Sequence, residues 1–255
     1  MKKLLLITPI VATVAVVSLT TGHAGVTIVP ASGYSITYDG NDGDFFDAAA
    51  PPGGAMAPNN AALASNGGVP FASAPVSLHT PPHAVVNLND GFYGNTNSHI
   101  NGQGTGPGNM GVMLAQAHNI TAFAFGRDNG NGAFDDSASG TDCCGGQLDD
   151  RVLGLYDIEF TADGGSNWTS VGTITLDGAD IDATPGGLFT PWFRHEYGVG
   201  LGGGGPIVGD GIRIVVPDLG TAIDEIEVYG TVVPEPSGAV LFGLGLFGLF
   251  LRRRR

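Results

Sequence analysis

The two cysteines of this chain, Cys143 and Cys144, are adjacent in the sequence. Disulfides form in exported proteins, so the bonding state of this pair depends on the compartment that the protein reaches. A bond between neighbouring cysteines closes a strained eight-membered ring. The pair therefore predicts a stiff disulfide within the loop, a disulfide to another chain, or two free thiols.

No catalytic pattern accompanies the cysteines. The sequence contains neither a Gly-x-Ser-x-Gly nucleophile elbow nor a His-Glu-x-x-His zinc helix, and its six histidines are dispersed. A glycosidase-like pair of carboxylates can hide among the 24 acidic residues, but nothing selects one pair over another. We therefore predict a protein that is not an enzyme, with a polysaccharide-active enzyme as the minor alternative.

Aromatic and basic side chains occur together in the segment 189–197, which includes Trp192, Arg194 and His195. Aromatic rings beside an arginine can stack on a sugar ring. The same rings can instead close one end of the domain. Both interpretations stay open from the sequence.

The body of the chain is strongly acidic. Residues 25–230 contain four arginines, no lysine and 23 acidic residues. Such a domain repels nucleic acid and anionic lipid. Excess carboxylates suit divalent cations or a salty medium, and solubility alone explains them equally well.

The N-terminus has the layout of a secretory signal peptide. Two lysines precede the apolar run Leu4 to Leu19, and Gly22 and Ala24 supply the small residues of a cleavage site. We expect cleavage between Ala24 and Gly25. The protein is therefore predicted to be exported.

Short apolar runs separated by glycines indicate an all-β fold. Tyr156, Ile158 and Phe160 alternate with polar residues, as in a half-buried strand. The 43 glycines argue against helices. We predict a jelly-roll β-sandwich, with strands in 26–38, 84–88, 120–125, 156–161, 171–176, 212–216 and 226–228 and a turn at 163–165.

The C-terminal residues resemble the PEP-CTERM sorting signal of bacterial surface proteins. Pro234, Glu235 and Pro236 open it, an apolar run follows from Gly238 to Leu251, and four arginines close it: Arg252, Arg253, Arg254 and Arg255. As a helix the apolar run is about 21 Å long, short for a bilayer core of roughly 30 Å. The resemblance implies recognition and removal by an exosortase-type enzyme. An ordinary short membrane anchor is the alternative.

Three blocks of the body together resemble a galactose-binding-like domain of the discoidin (coagulation factor 5/8 type C) kind. They are Asn87–Ser98, Asp150–Thr161 and Ala222–Tyr229, and they occur in the family's order. The resemblance implies a structural calcium site. Its matching ligands are Asp90, the carbonyl of Phe92, Ser98 and Glu225, oxygen donors of the kind that Ca²⁺ prefers.

The cysteine pair is similar to that of the fucose-binding lectins, one branch of this fold. The resemblance implies a sugar site formed by His99, Arg127, Cys143, Cys144 and Arg151. Those lectins place arginines three residues to either side of the pair, where this chain has Gly140 and Gln147. The alternative is that the pair has no part in sugar binding.

These expectations divide the chain into four parts: a signal peptide (1–24), an N-terminal segment of the sandwich (25–57), the galactose-binding-like sandwich (58–230) and the sorting tail (231–255). The predicted function is an exported protein of the envelope, cell surface or matrix that binds carbohydrate or another matrix component without catalysis. A purely structural matrix protein without a specific ligand is the alternative.

Overall fold

The computed structural model describes residues 26–38, 43–44, 59–73, 84–91, 99–100, 105–127, 154–176, 193–218 and 222–234. These residues form eleven strands and two short 3-10 helices, Ala64–Asn66 and Val85–Leu88. The strands are β1 Val26–Pro30, β2 Tyr34–Tyr38, β3 Gly43–Asp44, β4 Val69–Ala72, β5 His99–Ile100, β6 Thr105–Arg127, β7 Gly154–Thr161, β8 Thr169–Leu176, β9 Phe193–Leu201, β10 Ile207–Asp218 and β11 Ala222–Val232.

The long strand β6 belongs to both halves of the fold. Its first part, up to Ile120, pairs with β10, which continues through β7 and β8 to the edge strand β1. Its last part, from His118 to Arg127, pairs with β11 on one side and β9 on the other. The prediction of an all-β sandwich is confirmed.

The two halves enclose one core. Phe125 of the second half meets Tyr156 of the first, with ring centroids 5.3 Å apart. Phe123 meets Phe160 at 6.1 Å. Phe125 lies two residues before the end of β6, and Tyr156 lies two residues after the start of β7. The contact between their rings therefore also places Arg127 and Gly154 at the same end of the sandwich.

The alternation predicted for β7 is observed, and the strand predicted at 171–176 is present in β8 with a register shift. Ile158 pairs with Gly172 and Glu159 with Ser170, so Val171 is an extra residue. This β-bulge explains why Val171 and Ile174, three residues apart, are both fully buried. Gly172 has a φ of 152°, and a Cβ there would lie 2.8 Å from Ile36 Cδ1.

The predicted strand from Ala84 to Leu88 is wrong. The Asn87 amide donates to the Ala84 carbonyl at 3.0 Å, which closes a 3-10 turn. The β-branched valines favour a strand locally, but the turn buries Leu88 completely and leaves Val86 57% exposed. Short apolar runs are ambiguous in sequence, and tertiary packing decides this one.

Within the described residues, no helix has both the length and the apolar character needed to cross a membrane. The predicted signal peptide, its cleavage site at Ala24 and Gly25, and the apolar run of the tail all lie outside these residues.

Candidate functional site

Two of the predicted sugar-site residues lie in one row of the sheet. His99 of β5 and Arg127, the last residue of β6, both pair with Ile223 of β11. Neighbouring strands are about 4.8 Å apart, so the two α-carbons are separated by about 10 Å. His99 has no exposed surface. Cys143, Cys144 and Arg151 lie outside the described residues.

Two residues of the predicted aromatic surface, His195 and Tyr197, belong to the core. His195 is 5% exposed and Tyr197 is fully buried. Tyr197 stacks on Phe123 and Phe125, with centroid distances of 5.3 and 5.9 Å, and Tyr38 packs beside it at 5.6 Å. Burial favours the interpretation in which these rings fill the domain, since rings without exposed surface cannot stack on a sugar.

Two of the four predicted calcium ligands lie beside each other. Asp90 follows the second 3-10 helix, and the next residue, Gly91, donates its amide to both carboxylate oxygens of Glu225 at 3.2 Å. Phe92 and Ser98 lie outside the described residues. Among the residues that the structure describes, no three His, Cys, Asp or Glu side chains are arranged to hold a metal ion.

Glu225 belongs to a group of buried carboxylates on β11. Asp224, Glu225 and Glu227 have no exposed surface. Ile223 pairs with Arg127 and Ile226 with Phe125, so Asp224 and Glu225 together face Gly126 in a β-bulge. The bulge explains how two consecutive acids fit between two core isoleucines. Buried carboxylates are stable only when they are protonated, hydrogen-bonded or paired with positive charge.

The electrostatics of this group disfavour a negative charge on Glu225. Burial raises the pKa of Glu225 well above its ordinary value of 4.5, and the carboxylates of Asp90 and Asp224 raise it further. The Gly91 amide lowers this pKa, and Glu227 raises it slightly. Glu227 itself accepts a hydrogen bond from the hydroxyl of Tyr229.

Asp224 and Glu227 were not among the predicted site residues. In β11 acids alternate with Ile226 and Val228, a pattern typical of a strand with one solvated face. Their burial depends on contacts from distant parts of the chain. The run of three acids within four residues was the only signal in the sequence that could have singled them out.

We expect the stability of the calcium-free protein to fall as pH rises. A carboxyl whose pKa is higher in the folded state favours folding when it is protonated, and this contribution is lost as pH rises from about 4.5 through the folded pKa. Denaturant unfolding in chelator between pH 4.5 and pH 8 measures the fall. Glu225→Gln should reduce this fall of stability with pH, and at pH 8 the variant should be more stable than the unaltered protein. Coincident stability profiles for the two proteins would contradict this expectation.

The C-terminal residues 232–255 match the family model described as the PEP-CTERM protein-sorting motif. This confirms the predicted sorting tail: the chain is an exported protein, attached transiently to the envelope or cell surface. The motif also implies processing by an exosortase. Of its predicted residues the structure describes Pro234, while Glu235, Pro236 and the four arginines lie outside the described residues. No curated protein matches the chain significantly.

Several solved structures are similar to this one. Chitosan-binding module 2 of a chitosanase/glucanase from Paenibacillus sp. IK-5, solved with chitotriose, shares 20% identity over 67% of this chain and 100% of its own, with a TM-score of 0.44. A fucolectin from striped bass (Morone saxatilis) serum shares 18% identity over 67% of this chain and 49% of its own, with a TM-score of 0.43. The module CpGH89CBM32-6 from Clostridium perfringens shares 15% identity over 67% of this chain and 98% of its own, with a TM-score of 0.38. Likenesses of this degree say nothing about the ligand of this chain.

Proposed function

We propose that this chain is a non-catalytic protein of the cell surface or extracellular matrix whose sandwich binds carbohydrate or another matrix component. The observation that carries the proposal is the pairing of both His99 and Arg127 with Ile223 at one end of the sandwich. Arginine binds sugar hydroxyls through its several N–H donors. Since His99 is buried, Arg127 is the better candidate for direct contact.

We further propose that a structural calcium ion binds near the same end. Asp90, the carbonyl of Phe92, Ser98 and Glu225 would hold it. The support is the contact between the Asp90–Gly91 turn and Glu225, together with the burial of that carboxylate. A bound cation would offset the repulsion among the acids, because an opposite charge favours the ionised form.

The sugar site is tested by a glycan array with the exported protein in calcium. Arg127→Ala should weaken binding at least about tenfold, the usual worth of one charged hydrogen bond. The matched control is Arg213→Ala. Arg213 pairs with Glu159 and lies 4.6 Å from the centre of the Trp168 ring, on a different pair of strands. The control should bind as the unaltered protein does.

Two outcomes would overturn the proposed sugar site. One is a bound glycan whose affinity is the same with and without Arg127. The other is no glycan binding at all, together with self-association in calcium, which would instead establish the structural matrix protein. Turnover of a polysaccharide would contradict the non-catalytic part of the proposal.

A further inference from the structure

We propose that Asn60 and Asn89 form a hydrogen-bonded clamp that fixes the Asp90–Gly91 turn against Glu225. The proposal deepens the proposed calcium site and has two consequences. The first, that the clamp sets the calcium affinity, rests on that site. The second, that the clamp fixes the position of the Gly91 amide, does not need calcium. Asn60 and Asn89 are positioning residues, because neither is among the proposed ligands.

The first half of the clamp ties the segment 60–62 to β11. The side-chain oxygen of Asn60 accepts hydrogen bonds from the amides of Ala62 and Val228, both at 2.9 Å. The Ala61 amide donates to the Val228 carbonyl at 2.8 Å. Asn60 has no exposed surface, so water does not compete for these bonds.

The second half ties Asn89 to the same segment. Its side-chain NH₂ donates to the carbonyls of Ala62 at 2.7 Å and Gly68 at 3.1 Å. Its own carbonyl accepts from the Ala64 amide at 3.0 Å. Asn89 is 1% exposed. The residue before Asp90 is therefore held through both its side chain and its main chain.

Together these bonds form a closed ring that begins and ends on β11. It runs from Val228 through Asn60 and Ala62 to Asn89, and returns through the Gly91 amide to Glu225. Glu225 and Val228 are three residues apart, or about 10 Å along a strand. Because both ends of the ring are fixed on one strand, the turn cannot shift as a unit away from Glu225 without breaking the buried bonds of Asn89 or Asn60 in addition to the part-buried bond of Gly91.

Gly68 shows how closely the clamp is packed. A Cβ at this position would lie 2.0 Å from the Ala62 carbonyl oxygen and 3.0 Å from Asn89 Nδ2. Gly68→Ala must therefore displace the carbonyl that Asn89 holds. It gives a second way to open the clamp while Asn89 itself is kept.

The test is made on the ¹⁵N-labelled exported protein, first without calcium. Asn89→Ala should speed hydrogen exchange of the Gly91 amide about tenfold, the factor that one net hydrogen bond is worth. Calcium affinity by calorimetry should weaken by about the same factor. Gly68→Ala should change both quantities in the same direction. The control is Asn66→Ala, which removes a 2.7 Å bond to the Asn60 carbonyl in the same loop but leaves the ring intact. It should change each quantity less than about threefold.

The outcomes separate the clamp from the calcium site. If Asn89→Ala leaves Gly91 exchange unchanged, or if Asn66→Ala alters it as much, the clamp is overturned whatever calcium does. If the unaltered protein binds no calcium, the calcium site fails, and the clamp is judged on Gly91 exchange alone. Should the Asn89 variant not fold, the unaltered protein decides: the side-chain NH₂ of Asn89 and the Gly91 amide must then exchange with the same opening constant.

Discussion

Calcium at about 100 times its dissociation constant should stabilise the domain by about 2.7 kcal/mol. For a domain of this size that corresponds to a rise in melting temperature of roughly 5–10 °C. Glu225→Gln should abolish the rise, because the substitution removes the charge of one proposed ligand and keeps its shape. Differential scanning calorimetry of the exported protein, in calcium and in chelator, measures both.

The control for this substitution is Glu159→Gln. Glu159 is a half-buried carboxylate paired with Arg213 on β7 and β10, away from the Asp90–Gly91 turn. It should retain the full response to calcium. The idea fails if the Glu225 variant still responds, or if the Glu159 variant does not. In chelator the Glu225 variant should be the more stable protein, so the order of the two stabilities reverses with calcium.

Replacing Tyr197 by alanine should cost about 3–5 kcal/mol of unfolding free energy, as large aromatic deletions from cores do. Tyr197 is fully buried. Its ring is nearly parallel to Phe123 and Phe125, at interplanar angles of 20° and 19°. The deletion leaves a cavity and also removes the ring contacts. Urea unfolding measures the loss.

Tyr197→Phe is the matched control, because it keeps the ring and removes only the hydroxyl, which lies 3.4 Å from His195 Nδ1. It should cost no more than about 1.5 kcal/mol. Val208→Ala, at a side chain that is 50% exposed, should change stability by less than about 0.5 kcal/mol. A cost below about 1 kcal/mol for Tyr197→Ala would show that these rings do not form the core.

The strands were predictable where alternation is regular. The buried residues Tyr156, Ile158 and Phe160 of β7, and Ile212, Ile214 and Val216 of β10, repeat every second position, as the sequence indicates. The bulge in β8 was not predictable, since it depends on how Gly172 packs against Ile36. The 3-10 turn at Val85–Leu88 was also missed, because the contacts of Asn89 determine its conformation and the local sequence preference does not.

The candidate site was predictable only in part. Asp90 and Glu225 were identified by resemblance to a known family, and the structure brings the turn that carries Asp90 into contact with Glu225. The burial of Glu225 was not predictable, because 134 residues separate it from Gly91 in the chain. The hydrogen bonds of Asn60 and Asn89 were not predictable either, because sequence patterns are analysed segment by segment and the partners of these side chains lie on other segments.

Strand β11 also has a mechanical consequence. Near one end it carries Glu225 and pairs with His99 and Arg127; at the other, Val232 pairs with His118 and leads into the sorting motif. A pull on the tail therefore acts along β11, and its hydrogen bonds to β6 share the load in shear. Opening such a ladder requires many bonds to break together. While the domain is attached through its tail, it resists tension along β11 and presents its candidate binding end about 30 Å from the point of attachment.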